Sequence, residues 1–135
     1  MKDFLNQIRR FNEMYRLPSN DKPTDLGSQR IRQFVQIMTD ELQEGYDIAD
    51  SYSNAPWLVD MADLLGDLAV YVFSEARRWG IPMMPVLEAI MEANFSKLGS
   101  DGQPIYDEQL DKVLKGPRFV GPESAIEKII EEHSR

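Results

Sequence analysis

Apolar residues recur at helical spacing along most of the chain, and this pattern marks two helices in its first third. The spacing predicts a short amphipathic helix over about residues 2–16 and a longer one from about 28 to 50. Residues 17–27 are dense in turn-forming residues, so the first helix should end before Pro18. The apolar positions that define the two stripes are Phe4, Leu5, Ile8, Phe11, Ile31, Phe34, Val35, Met38 and Leu42.

Three further helices are predicted by the same reasoning. After a loop at 51–56, a third helix should run over about 57–79, and it is apolar nearly all round beyond Asp67, as expected for a central, buried helix. A fourth helix is predicted over about 82–97 and a short final one over 123–133, with a stretch rich in Gly and Pro between them. The pattern therefore predicts an all-α fold, a four- to five-helix bundle with a long irregular segment before the C-terminal helix.

Composition is that of an ordinary soluble globular protein and excludes several kinds of chemistry. Because 135 residues make one domain, we assign residues 1–135 to a single domain. The chain has no cysteine, and His133 near the C-terminus is its only histidine, which excludes thiolate sites and Ser-His catalysis. The sequence has no apolar run of bilayer length and no signal-peptide core, so we expect a cytoplasmic protein without a membrane partner.

Net charge narrows the choice of partner. At −8, the chain is a poor match for nucleic acid, whose phosphate backbone needs clustered Lys and Arg. A small phosphate ligand stays compatible with this charge, because a metal ion can neutralise it locally. Free nucleotides are therefore candidate ligands, and long nucleic acid is not.

Acidic residues form two groups, one on the second predicted helix and one on the third. Carboxylates held together among apolar residues repel one another and lose hydration, so something must compensate them. The simplest compensation is one or more hard divalent cations, and Mg²⁺ held by carboxylates usually acts on phosphates. The first group is Asp40, Glu41 and Glu44; the second is Asp60, Asp63 and Asp67.

Helical spacing makes Glu41 and Glu44 neighbours on the second helix, with Asp40, Glu44 and Asp47 in an adjacent row, and it places Asp60, Asp63 and Asp67 on one face of the third helix. If the two helices pack antiparallel across the short loop, the two faces could share a metal cluster. The alternative is a solvated charged face, and for Asp40, Asp47 and Asp50 this is as good an explanation. It is weaker for Asp63 and Asp67, which apolar residues surround, whereas Asp60 in the first helical turn could simply favour the helix dipole.

Two stretches resemble a known family. Asp40-Glu41-Leu42-Gln43-Glu44, followed by Asp60-Met61-Ala62-Asp63, resembles the E-E-x-x-E … E-x-x-D pattern of the all-α nucleoside triphosphate pyrophosphohydrolases. The segment from Asn94 to Tyr106, with Val113-Leu114-Lys115-Gly116-Pro117, is similar to the tail of the MazG-like/phosphoribosyl-ATP pyrophosphohydrolase-like branch. Asp40 and Asp60 stand where the family pattern has Glu. Asp67 is an alternative to the second motif, because Leu64-Leu65-Gly66-Asp67 resembles the Glu-Leu-Gly-Asp form of MazG.

The resemblance implies Mg²⁺-dependent cleavage of the α–β phosphoanhydride of a nucleoside triphosphate, giving the monophosphate and pyrophosphate, with Mn²⁺ as an alternative ion. The residues that match the motifs, Glu41, Glu44, Asp60 and Asp63, are then expected to bind the metal. A spare carboxylate can take a proton from the attacking water, and Glu41 or Asp40 is the candidate for positioning that water.

Three polar residues in the C-terminal part of the chain are candidates for binding the substrate. Lys97 could contact a phosphate oxygen, Asn94 could bind sugar or phosphate, and Lys115 lies in the irregular segment, which could close over a nucleotide. A solvated lysine at a helix C-terminus is the alternative for Lys97. The family forms dimers or tetramers, which implies a homodimer or homotetramer here. The rivals are a non-catalytic helical nucleotide-binding or regulatory module that kept the fold, and a purely structural helical adaptor.

Overall fold

A computed structural model describes residues 2–52 and 56–135, and these form five helices and one two-stranded sheet. The predicted all-α class and the predicted helices are confirmed. Residues 53–55 of the predicted loop lie outside the described residues. The elements are α1 (Lys2–Met14), α2 (Ser28–Asp50), α3 (Trp57–Trp79), α4 (Met83–Phe95), β1 (Ile105–Asp107), β2 (Lys112–Leu114) and α5 (Glu123–His133).

The segment predicted to be irregular contains a short hairpin. Strands β1 and β2 pair antiparallel, with Tyr106 opposite Val113 at the centre of the register. The turn between them is stabilised by Asp107, whose Oδ1 accepts hydrogen bonds from the backbone N–H groups of Gln109 and Leu110. Strands of three residues are too short for an apolar alternation to be visible in the sequence.

The chain divides into two compact units, Met1–Ile81 and Pro82–Arg135. The assignment of the whole chain to a single domain stays a prediction. In the first unit, α3 packs against both α1 and α2, which agrees with its predicted central position. Buried apolar residues there include Ile8, Leu64 and Ala76.

A buried polar contact fixes α1 on α3. The Asn12 side chain is fully buried; its Nδ2 donates to the backbone carbonyls of Pro18 and Ser74, and its Oδ1 accepts from the Ser74 hydroxyl. All the polar atoms of this amide are therefore used, as buried polar groups require.

The turn-rich segment after α1 is attached to the end of α3. Asn20 and Thr24 donate their backbone N–H groups to the carbonyls of Arg77 and Trp79. Gly80 ends α3 in the left-handed conformation, and a Cβ there would lie 2.0 Å from the carbonyl oxygen of Lys22. Only glycine fits at this position without a backbone shift.

In the second unit, α4 packs on α5, with Val86 and Ala93 buried on α4. The chain after β2 returns to the end of α4, where the backbone N–H of Gly116 donates to the carbonyl of Lys97. Throughout the described residues, no helix has both the length and the apolarity to cross a membrane.

Candidate metal centre

Three carboxylates on α2 and α3 come together in the first unit. Glu41, Glu44 and Asp67 each offer an oxygen, and these oxygens all lie within 4.8 Å of one another. Glu41 and Glu44 share a face of α2 because they are three residues apart. Glu41 and Asp67 lie at similar distances along the chain from the α2–α3 connection, as antiparallel packing of the two helices requires.

Glu41 is the least hydrated member of this carboxylate cluster. Its Oε2 is buried and, among the described residues, has no hydrogen-bond partner. A buried carboxylate oxygen without a partner is costly, because it has lost its water without gaining a donor. A divalent cation would supply the missing partner, and oxygen-only ligands suit a hard cation such as Mg²⁺.

Mutual repulsion in the cluster affects the groups around it. The negative charge of Glu41, together with burial and with the charges of Asp67 and Asp63, raises the pKa of Glu44. The charge of Glu41, followed by burial, also raises the pKa of Tyr71. Excess negative charge in the folded protein therefore favours protonation here, and a bound cation would have the opposite effect.

The structure brings some of the expected metal ligands together and leaves others apart. Glu41 and Glu44 are together, and the third carboxylate beside them is Asp67, the alternative in the second motif. Asp63 is near enough to act on Glu44 electrostatically, but it is not part of the cluster found among the described residues. Asp60 lies in the exposed first turn of α3, about 10 Å along the helix axis from Asp67.

Asp40, the other candidate for positioning water, lies on a solvent-exposed part of α2. Its Oδ1 accepts a hydrogen bond of 2.8 Å from Nε2 of Gln36, one turn earlier on the helix. The catalytic role of Asp40, and metal binding by Asp60 and Asp63, stay predictions.

The second unit brings together two of the residues expected to bind substrate. The ammonium groups of Lys97 and Lys115 lie 5.9 and 4.9 Å from the centre of the Phe119 ring. Asn94 is half-buried at the end of α4, where its Nδ2 points to the Met91 sulfur at 3.8 Å. Substrate binding by these residues stays a prediction.

Beside the carboxylate cluster, the first unit contains a cavity of about 330 Å³ that the sequence did not indicate. Asp67 and Tyr71 line one part of it, and Arg30, Glu75 and Arg78 line another. Arg30 and Glu75 are far apart in sequence, so their ion pair has no local motif. The available signal was that one Glu and two Arg residues occur in the largely apolar second half of α3, where each needs a partner.

One solved structure was found to be similar in fold to this chain. The chain is similar to the 1.78 Å crystal structure of a proposed NTP pyrophosphohydrolase from Exiguobacterium sp. 255-15, with a TM-score of 0.50 and 22% sequence identity. The similarity covers 95% of this chain and 94% of that chain. At this identity the likeness shows a shared, mostly helical fold and no more. No protein-family model and no curated protein matches the sequence.

Proposed function

We propose that this protein is a metal-dependent nucleoside triphosphate pyrophosphohydrolase. The observation that carries the proposal is the cluster of Glu41, Glu44 and Asp67, with one oxygen of Glu41 buried and without a partner among the described residues. The sequence resemblance and the fold shared with a proposed pyrophosphohydrolase agree with this assignment.

Mg²⁺ is the ion that we propose for this cluster, with Mn²⁺ as an alternative. Glu41, Glu44 and Asp67 would hold it, and Asp63 would add negative charge nearby. When bound, such an ion neutralises phosphate charge and lowers the pKa of a water molecule. Calcium also takes oxygen ligands, but Mg²⁺ is the usual partner of a nucleotide phosphate.

The proposed reaction is hydrolysis of the α–β phosphoanhydride. Water adds across this bond, the bridging P–O bond breaks, and pyrophosphate leaves with the nucleoside monophosphate as the other product. Glu41 has a half-buried carboxylate at the cluster, so it is the better placed of the two candidate groups for accepting the proton of the attacking water. Asp40 is already hydrogen-bonded to Gln36 at the exposed surface.

Phosphate contacts in the second unit form a further part of the proposal. Lys97 and Lys115 direct two positive charges to one aromatic ring, that of Phe119. The ring attracts both ammonium groups, but it leaves their net charge uncompensated. We propose that these lysines bind phosphate oxygens and that Asn94 assists them.

A homodimer or homotetramer is the proposed assembly. None of the described residues of α2 is buried, although this helix is strongly amphipathic. Large apolar side chains on α2 and α3 remain in water, among them Leu42, which is 53% exposed, and Leu58 and Val59, each 66% exposed. This exposed apolar surface supports the proposed interface, since a second copy would present the same surface in return. Light scattering of the purified protein should give a multiple of the mass of one chain.

A nucleotide panel tests the proposed activity directly. Purified protein is incubated with canonical and modified nucleoside triphosphates and Mg²⁺, or Mn²⁺ in parallel, and the monophosphate and pyrophosphate are measured. Turnover that a chelator abolishes supports the proposal. Nucleotide binding without turnover would instead support the non-catalytic module, and neither binding nor a metal-dependent thermal shift would support the structural adaptor.

A further inference from the structure

The cavity beside the carboxylate cluster runs along one stripe of α3. Asp67, Tyr71, Ser74 and Arg78, at successive turns, lie on its wall. The stripe begins at the metal centre and ends at Arg78, about 16 Å further along the helix axis. The cavity therefore leads directly away from the proposed metal centre.

Flat and apolar side chains form much of the remaining wall. Phe11 and Leu17 contribute from the α1 region, Phe34 from α2 and Val70 from α3. A nucleobase is a flat ring that stacks well on aromatic side chains. A cavity of about 330 Å³ is at the small end of ligand-site volumes, which suits a single ring system.

Charge at the far end of the cavity is not balanced within the described residues. Both oxygens of Glu75 are already engaged: Oε2 accepts from Nε of Arg30 at 3.0 Å and from Nε1 of Trp79 at 2.7 Å, and Oε1 accepts from Nη2 of Arg30. Arg78 approaches the same carboxylate only as an ion pair, with its Nε 3.9 Å from Oε1. Two guanidinium groups thus share one carboxylate.

Arg78 is the guanidinium with donors to spare. Its side chain is 18% exposed, and within residues 2–52 and 56–135 that side chain makes no hydrogen bond. Burial and the positive charge of Arg30 lower the pKa of Arg78, although the guanidinium stays charged at neutral pH. A half-buried cation whose donors are unused, on the wall of a cavity, is suited to an acceptor carried by a ligand.

We propose that the cavity binds the base of the nucleotide and that Arg78 donates hydrogen bonds to a carbonyl oxygen of that base. Guanine and hypoxanthine present an oxygen and a ring nitrogen side by side, and uracil and thymine present a carbonyl oxygen. Adenine presents an amino group where guanine has oxygen, and that donor repels a guanidinium. The protein should therefore prefer oxo-substituted bases to adenine. This inference rests on the proposed function, because it identifies the substrate class of the same site.

Two measurements on wild-type protein and Arg78 variants test the inference. The first is kcat/KM for GTP, ITP, UTP and ATP with Mg²⁺. The second is the binding of GMP and AMP without metal, measured by calorimetry, which requires no catalysis. We expect wild-type protein to prefer guanine to adenine by about tenfold or more in both measurements, the discrimination of one bidentate arginine contact.

Three variants distinguish recognition of the base by Arg78 from a loss of folding and from a change in overall charge. Arg78→Gln should remove the preference by weakening the oxo-base nucleotides, with KM changing more than kcat. Arg78→Lys keeps the charge but loses the planar fork, so it should lose most of the preference while the fold is preserved. Arg10→Gln, which removes an exposed arginine on α1, is the matched control and should leave the preference unchanged.

The outcomes distinguish this inference from the proposed function. Turnover without any base preference in the wild type, or an equal loss for all nucleotides in both Arg78 variants, would overturn the inference and leave the proposed function standing. A guanine preference in GMP and AMP binding that Arg78→Gln abolishes, without turnover of any triphosphate, would support the inference and overturn the catalytic function alone.

Discussion

Two carboxylate environments lie on the same helix and differ in how their charge is compensated. Glu75 receives hydrogen bonds from Arg30 and Trp79, and its compensation lies entirely within the chain. About 12 Å earlier on α3, Asp67 joins Glu41 and Glu44, and the described residues offer no cation to this cluster.

The pKa values of Glu75 and Glu44 are shifted in opposite directions. Burial alone would raise the pKa of Glu75, but the hydrogen bonds from Arg30 and Trp79 outweigh it and the pKa is lowered below its ordinary value of 4.5. The pKa of Glu44 is raised, first by the charge of Glu41. A carboxylate whose cations are built into the chain stabilises the fold, whereas a cluster without them is prepared for an external cation.

The largest expected effect is on turnover. Glu44→Gln should reduce kcat/KM by more than about a hundredfold, because loss of a group that only supports a metal ligand already costs 10- to 100-fold. The same variant should be no less stable than the wild type without metal, since it removes repulsion. Steady-state kinetics and urea unfolding measure the two effects. Asp50→Asn, an exposed change on the same helix, is the control; full activity in Glu44→Gln would contradict the metal assignment.

Metal binding should be visible in stability alone. A cation that binds only the folded protein, at 100 times its Kd, adds about 2.7 kcal/mol to the free energy of unfolding. We expect Mg²⁺ to raise the melting temperature of the wild type and to leave that of Glu41→Gln unchanged. Differential scanning calorimetry with and without Mg²⁺ measures the shift. An equal shift in both proteins would place the binding site elsewhere.

Replacing Glu75 should lower the stability of the protein, in contrast to replacing Glu44. Glu75 is 7% exposed, and Glu75→Gln replaces one of its two acceptor oxygens with an NH2 group that faces N–H donors, and it leaves Arg30 and Arg78 without a counter-ion. The expected loss is about 2 kcal/mol in the free energy of unfolding, by urea denaturation. An unchanged free energy would show that the ion pair contributes nothing, as is known for some buried pairs.

The pH dependence of stability sharpens the same contrast. Because the folded pKa of Glu75 is depressed, its contribution is present above about pH 4.5 and is lost as the pH falls through its folded value. The raised pKa of Glu44 has the reverse sign, since protonation relieves repulsion in the folded state. Glu75→Gln should therefore lose less stability than the wild type on acidification to below pH 4, as followed by circular dichroism. A parallel loss in the two proteins would contradict this assignment.

These contrasts also explain how much the sequence could predict. Helices and their faces follow from local spacing, so the pairing of Glu41 with Glu44 was predictable from one segment. The partner from α3 depends on how far the two helices overlap, and a shift of one or two turns exchanges Asp60, Asp63 and Asp67 without changing either apolar stripe. Local spacing contains no information about that overlap.

The contacts at the far end of the cavity could not be predicted from the sequence for a related reason. Arg30 and Glu75 meet across helices, although their positions in the chain are 45 residues apart. Each looks like an ordinary charged residue in its own segment. The hairpin was not predicted because its three-residue strands are too short to show an alternation of apolar and polar residues.

The smallest expected effect decides between the alternatives in the second motif. Asp60 lies in the first turn of α3, where its charge favours the helix dipole, so Asp60→Asn should cost about 0.5 kcal/mol in stability. Asp67→Asn should instead abolish the Mg²⁺-dependent rise in melting temperature, because Asp67 is the residue of α3 beside Glu41 and Glu44. Calorimetry of the two variants with Mg²⁺ compares them directly. If Asp60→Asn abolished the rise and Asp67→Asn did not, the ligands would be those of the Asp60-Met61-Ala62-Asp63 motif, and binding of the metal would have to move α3 along α2 to bring Asp60 to the two glutamates.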